Sequence, residues 1–70
     1  MKQTLHTFTD DQGLVVTVQA RPMTFLEHTA VIDIRADHPD NLEPQEIAIW
    51  ADDIVSIIEL LQKAKADSEQ

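Results

Sequence analysis

Apolar residues alternate with polar ones in two segments, and a period of two is the pattern of a β-strand with one buried face. Residues 14–20 place an apolar side chain at every second position, and residues 29–36 do the same with Ala30, Ile32, Ile34 and Ala36. Residues 4–9 are mostly β-formers. The sequence therefore predicts at least three strands, with 29–36 paired centrally.

The connection between the first two strands has the composition of a hairpin turn. Asp10 and Asp11 are followed by Gly13, which can adopt the positive φ that a type I turn with a bulge requires. Pro22 has no amide hydrogen to donate to a sheet, so we expect the second strand to end there. Residues 21–28 are then a connection or an edge segment that either exposes Phe25 and Leu26 or tucks them in.

The C-terminal third permits two arrangements. Pro44 could open one long helix, or residues 47–49 could form a short fourth strand that leads into a helix capped at Asp52 or Asp53. We favour the strand followed by the helix. The predicted fold class is α+β: a small antiparallel sheet of three to four strands with one C-terminal helix packed on one face. Residues 1–66 form a single domain, and residues 67–70 are predicted to be a frayed tail.

The predicted helix has an unusually wide apolar surface. Its apolar residues spread over roughly 220° of the helical wheel, about twice the stripe that packing against one core requires. Its flanks, Val55 and Leu60, are then free for a second subunit, and Trp50 is a candidate anchor beside them. A chain of 70 residues without cysteine is also marginally stable by itself. The sequence thus predicts a homodimer with Trp50, Val55 and Leu60 at its interface.

The net charge of −8 is concentrated in one stretch. Residues 27–59 contain nine carboxylates and a single basic residue, Arg35. Such a field attracts basic proteins and repels nucleic acid and anionic membranes, so a basic surface of a larger protein is the expected partner, with no direct binding to nucleic acid. The candidate partner-binding carboxylates are Asp33, Asp37, Asp40, Glu43, Glu46, Asp52, Asp53 and Glu59.

Residues with catalytic chemistry are few and scattered. His6, His28 and His38 lack the spacing of a metal site or a catalytic pair. The two serines have no histidine at useful spacing, and the single glycine rules out a glycine-rich phosphate loop. We expect no enzyme activity, no bound metal and no cofactor.

These observations favour a non-enzymatic protein-binding function. The leading hypothesis is an acidic inhibitor or modulator of the type encoded by phages and mobile elements, whose carboxylates imitate nucleic-acid phosphates on the basic surface of a larger, nucleic-acid-targeting protein. The alternative is a structural or assembly subunit that oligomerises through its wide apolar helix face. No apolar run follows Lys2, so a cytoplasmic location is expected.

Overall fold

The computed structural model describes residues 1–41 and 43–70, which form a four-stranded antiparallel sheet and one C-terminal helix. The strands follow one another in the sheet in chain order: β1 (His6–Thr9), β2 (Val15–Phe25), β3 (His28–Asp37) and β4 (Gln45–Trp50). A 3₁₀ turn, Ala51–Asp53, leads into helix α1, Ile54–Ser68. The predicted α+β class is confirmed, and so is the choice of a fourth strand followed by a helix.

The turn between β1 and β2 lies where the sequence predicted it. Asp10 Oδ1 accepts hydrogen bonds from the backbone amides of Gln12 and Leu14, both at 2.9 Å. The Asp10 amide donates to the Leu14 carbonyl at 3.0 Å. Gly13 has φ +96°, a conformation that side chains disfavour. The aspartate and the glycine therefore supply the turn geometry that sets the register of this hairpin.

The predicted end of the second strand at Pro22 is wrong. β2 continues to Phe25, and Pro22 pairs with Ala30 before the register shifts between Pro22 and Phe25. The reason is that β1 pairs only with residues 15–18 of β2, so the second half of β2 has an open edge. Proline is tolerated on such an edge because its missing amide hydrogen removes no bond to a neighbouring strand.

Two residues, Leu26 and Glu27, close the β2–β3 hairpin. Leu26 has φ +54° and is 83% exposed. A positive φ at only the first of two loop residues is the signature of a type II′ turn, in which glycine is preferred at that position. A leucine there holds a strained backbone conformation. The hairpin therefore presents an exposed apolar tip at some conformational cost.

Helix α1 begins after the 3₁₀ turn and continues past the predicted boundary. Asp53 occupies the N-cap position, but its side chain makes no capping hydrogen bond. The helix includes residues 67 and 68 of the predicted tail, and Ser68 Oγ donates to the Lys65 carbonyl at 2.6 Å. Lys65 also pairs with Glu69 at 2.7 Å. These contacts stabilise the last turn.

The hydrophobic core is very small. Among the described residues only Val31 is buried, with 3% of its surface exposed. The other apolar residues of β3 and those of β2 up to Ala20 are half-buried, Pro22, Met23 and Phe25 are exposed, and α1 has no buried residue. A fully buried core residue normally contacts neighbours on every side, so the sheet and helix of one chain leave most of the apolar surface partly in contact with solvent.

Candidate functional site: an uncovered apolar face

One face of the sheet is apolar across all four strands. Ile32 lies opposite Ala20 and Ile49, and Ile34 lies opposite Val18 and Ile47. Because alternate residues of a strand share a face, the register gathers a continuous set, which we name the apolar face: Phe8, Val16, Val18, Ala20, Ala30, Ile32, Ile34, Ala36, Ile47 and Ile49. By the same register His6 and Gln45 are its polar members, so no carboxylate of the strands lies on it.

A groove separates helix α1 from the apolar face. Its volume is about 480 Å³, and it is lined on the sheet side by Val18, Ile32, Ile34 and Ile49. Ala51 and the helix residues Ile54, Ile57, Ile58 and Leu61 form the remaining wall. All nine lining residues are apolar, which distinguishes this groove from a small-molecule site with polar groups that fix a ligand.

Large apolar side chains along the groove and the apolar face remain exposed. Leu61 is 63% exposed and Ile58 is 46% exposed, although both line the groove. Phe8 on β1 and Ile47 on β4, the two edge strands of the sheet, are 61% and 58% exposed. Single exposed apolar residues are ordinary, whereas a contiguous group of them marks an interaction surface.

The opposite face, which we name the polar face, holds the charged residues of β2, β3 and β4 beside Val15, Val31 and Ala48, and its charges are largely paired. Arg21 Nε donates to Asp33 Oδ2 at 2.7 Å, and Arg21 Nη2 donates to Asp33 Oδ1 at 3.0 Å. This bidentate hydrogen bond, outweighing desolvation, holds the pKa of Asp33 below its usual range and raises the pKa of Arg21. Arg35 Nη1 lies 3.7 Å from Glu46 Oε1, and Arg35 Nη2 lies 4.0 Å from Asp37 Oδ2.

A wide cleft of about 800 Å³ opens on this polar face. Its charged members are Asp33, Arg35, Asp37 and Glu46, which are the residues of the ion pairs just described. Neither histidine nor serine lines the described part of this cleft. Among the described lining residues Thr17 has the only hydroxyl group, and no histidine lies beside it to accept its proton.

His28 has a partner that its sequence spacing did not indicate. Its Nδ1 lies 3.1 Å from Asp52 Oδ2, and its ring stacks on Trp50 with centroids 4.3 Å apart. The Phe25 ring also stacks with Trp50, with ring centroids 6.2 Å apart. The expectation that no histidine has a partner is thus wrong for His28, because pairing of β3 with β4 brings residues 24 positions apart together.

This cluster fixes the start of the helix. Asp52 reaches His28 across the end of the sheet, and Trp50 is the last residue of β4. The pair is a full ion pair only when the imidazole is protonated. Asp52 was predicted as a helix cap or a partner-binding carboxylate, and the structure gives it a third role, as a link between β3 and the 3₁₀ turn.

The predicted partner-binding carboxylates do not form one continuous row. Asp37, Asp40, Glu43 and Glu46 lie at the end of the sheet where β3 leads into β4, whereas Asp52 and Asp53 follow the opposite end of β4. A strand of six residues separates the two groups by roughly 17 Å. Within the described residues, four of the eight have no ion-pair partner: Asp40, Glu43, Asp53 and Glu59.

The residues predicted for an oligomer interface are dispersed. Trp50 is half-buried in the cluster with His28. Val55 and Leu60 are 70% and 58% exposed on α1, but neither lines the groove. The helix residues that do line it, Ile57, Ile58 and Leu61 among them, were assigned by sequence reasoning to packing against the chain's own sheet. The helical periodicity identified the apolar residues but not the gap beside them.

Residues 1–41 and 43–70 contain no cluster of three or more histidine or carboxylate side chains arranged to hold a metal ion. In the same part of the chain, no helix combines the length and the hydropathy that a membrane crossing requires. The chain matches no protein-family model, no curated protein and no solved structure. The uncovered apolar face and its groove are therefore the candidate functional site.

Proposed function

We propose that this chain is a non-enzymatic protein-binding module, an assembly subunit whose apolar face is covered by another protein surface when it works. The observation that carries this proposal is the scarcity of buried side chains: Val31 alone is buried among the described residues. Side chains such as Ile58, Leu61 and Ile47 stay in contact with water unless another protein covers them. Fully burying one of them would contribute about 1.5–3 kcal/mol to the free energy of binding. The cytoplasmic location predicted from the sequence is part of this proposal.

The chemistry of the remaining surface supports a binding role over a catalytic one. The polar cleft contains paired charges, and its described residues include no histidine that could activate the hydroxyl of Thr17. The one histidine with a carboxylate partner, His28, is stacked on Trp50. No serine belongs to that cluster, and a hydrolytic triad needs a hydroxyl or thiol beside the imidazole.

The proposal can be tested with two neighbouring leucines of similar exposure. Leu61 lines the groove and Leu60 does not, although they are 63% and 58% exposed. Tagged wild-type protein, Leu61→Gln and Leu60→Gln should be used to capture partners, including copies of the chain itself, with washes in high salt. We expect wild type and Leu60→Gln to retain a stoichiometric protein that Leu61→Gln loses. Equal recovery by all three would contradict the proposal.

A second candidate function is the acidic inhibitor that binds a basic surface of a larger, nucleic-acid-targeting protein. Supporting it, Arg21, Arg35 and Lys65 already pair with carboxylates of the same chain. The net charge of −8 is then presented outward by carboxylates without ion-pair partners in the described residues, such as Asp40 and Glu43. A field of one sign accelerates binding to a surface of the opposite sign.

Charge reversal separates the two candidates. Asp40→Lys with Glu43→Lys changes the net charge by +4, and Glu27→Lys with Asp67→Lys is a control of equal charge at other positions. If the acidic loop is the binding site, only the first pair abolishes capture, and the wild-type complex dissociates as salt rises. If capture survives the first pair, the inhibitor function is excluded.

A further inference from the structure

We propose that the apolar face is covered by a second copy of this chain, related to the first by a two-fold axis. Helix α1 of each copy lies in the other copy's groove, between that copy's own α1 and its sheet. This inference rests on the proposed function and names its partner. A two-fold arrangement uses one surface twice, and here the same surface offers both a groove and the apolar helix that could fill a groove. The fit is therefore self-complementary.

The exposed area of the single chain is the first line of support. A folded monomer of 7.9 kDa is expected to expose about 4,400 Å², whereas this chain exposes 5869 Å². The excess is about 1,500 Å² relative to that scaling. A standard specific interface buries about 800 Å² on each partner. An interface that removed the whole excess would bury about 1,500 Å² on each partner, or about 3,000 Å² in total, which is the size of an obligate interface rather than a standard one.

The shape of the chain gives the same conclusion from another quantity. The radius of gyration is 14.0 Å, compared with about 11 Å for a compact domain of 70 residues. Helix α1 is one of the loosely packed parts, because its residues from Val55 onward are exposed except for the half-buried Ile57. A second helix laid in the groove would give both helices apolar neighbours on two sides.

Charge identifies which surface can meet its own copy. Two chains of net charge −8 repel one another unless their contact excludes carboxylates. The strand residues of the apolar face include no carboxylate, and the groove is lined by apolar residues only. The carboxylates are thus kept on the outside of the dimer, which favours this face over the polar face for self-association.

Sedimentation equilibrium on wild type, Leu61→Gln and Leu60→Gln tests the proposal. We expect wild type and Leu60→Gln to be dimers at micromolar concentration. Leu61→Gln should dissociate at least about tenfold more readily, because a buried leucine is lost from each copy. Raising the salt concentration from about 0.1 M to 1 M should tighten the wild-type dimer, since screening weakens the repulsion between the two negative chains.

A second measurement keeps the test decisive if Leu61→Gln does not fold. In a mixed sample of labelled and unlabelled wild-type protein, isotope-filtered NOEs report contacts between different copies only. We expect such NOEs between the methyl groups of Ile58 or Leu61 and those of Ile32. A dimer that shows none of them, or one that both glutamine variants weaken equally, overturns the seating of α1 in the groove.

A monomeric wild type at about 100 μM, well above the micromolar range expected for the dimer, overturns the proposal of a second copy. In that case the capture experiment alone decides whether the proposed function holds. If Leu61→Gln loses a different protein that Leu60→Gln retains, the apolar face binds a foreign partner and the proposed function stands. If neither substitution changes capture, both the second copy and the proposed function are contradicted.

Discussion

At the scale of single residues, Leu26 holds a conformation that its side chain disfavours. Its φ of +54° costs an L-residue roughly 1–2 kcal/mol, and its side chain is 83% exposed, so little packing offsets that cost. Leu26→Gly should raise the free energy of unfolding by about 0.5–1 kcal/mol, since glycine removes the strain but gains freedom in the unfolded chain.

Leu26→Ala is the matched control for that substitution. It removes the same apolar side chain but keeps the Cβ atom that causes the strain. Urea denaturation of the three proteins should place Leu26→Gly above wild type and Leu26→Ala at or below it. A stability gain of equal size in both variants would mean that the exposed side chain, and not the backbone, is the source of the cost.

Asp33 makes stability depend on pH at the acidic end. Its pKa is lowered in the folded state by the hydrogen bonds from Arg21. A lowered pKa contributes stability above the unfolded value of about 3.9, and this stability is lost as pH falls toward the lower folded pKa. Asp33→Asn should therefore be less stable than wild type at pH 6, with a difference that shrinks below about pH 4.

The measurement is urea denaturation at pH 6 and pH 3 on wild type, Asp33→Asn and Asp11→Asn. Asp11 forms no ion pair within the described residues, so Asp11→Asn removes the same charge without breaking a pair. A deficit in Asp33→Asn that persists unchanged at pH 3 would show that lost packing, rather than the ion pair, explains the effect.

At the scale of elements, the sequence predicted the strands better than their surroundings. The period of two in residues 14–20 and 29–36 identified β2 and β3, because that pattern is local and follows from the pleat. Pro22 was misread because its effect depends on whether a neighbour lies beside it. The short β1 leaves the half of β2 that contains Pro22 without a neighbour on one edge. The residues around Pro22 give no information about how long β1 is.

The candidate site was predictable only in part. Helical periodicity indicated an apolar arc wider than one neighbour requires, and the groove is lined by four residues of that arc, Ile54, Ile57, Ile58 and Leu61. It could not show how far α1 lies from the sheet, so the flank residues Val55 and Leu60 were chosen as the free surface. The contact between His28 and Asp52 was missed for a similar reason, since it arises from pairing of distant strands.

Helix α1 should owe much of its stability to association. None of its residues is buried in the single chain, and isolated helices of about 15 residues are marginal in water. We expect hydrogen exchange of α1 amides, at Ile58 for example, to accelerate on dilution from about 50 μM to about 0.05 μM, by more than the amides of β3, because dilution below the micromolar range dissociates the expected dimer. Exchange of α1 that does not change with concentration would contradict this dependence.

At the scale of the whole molecule, two properties of the chain are connected. A 70-residue chain buries a small fraction of its surface when it folds alone, and this one leaves an entire sheet face and helix partly uncovered. The carboxylates are excluded from that face and concentrated elsewhere, so the molecule remains repulsive toward other surfaces of its own kind. We therefore expect any association between copies to use that one surface.

A water-soluble paramagnetic agent can show whether protein covers the apolar face. Relaxation of methyl groups by a gadolinium chelate depends on their contact with solvent, and Leu60 and Leu61 are almost equally exposed in the single chain. We expect strong relaxation at Leu60 and Val55, with protection at Leu61 and Ile58, in wild-type protein at about 500 μM, well above the micromolar range expected for the dimer. Equal relaxation at Leu60 and Leu61 would mean that the apolar face remains in contact with solvent.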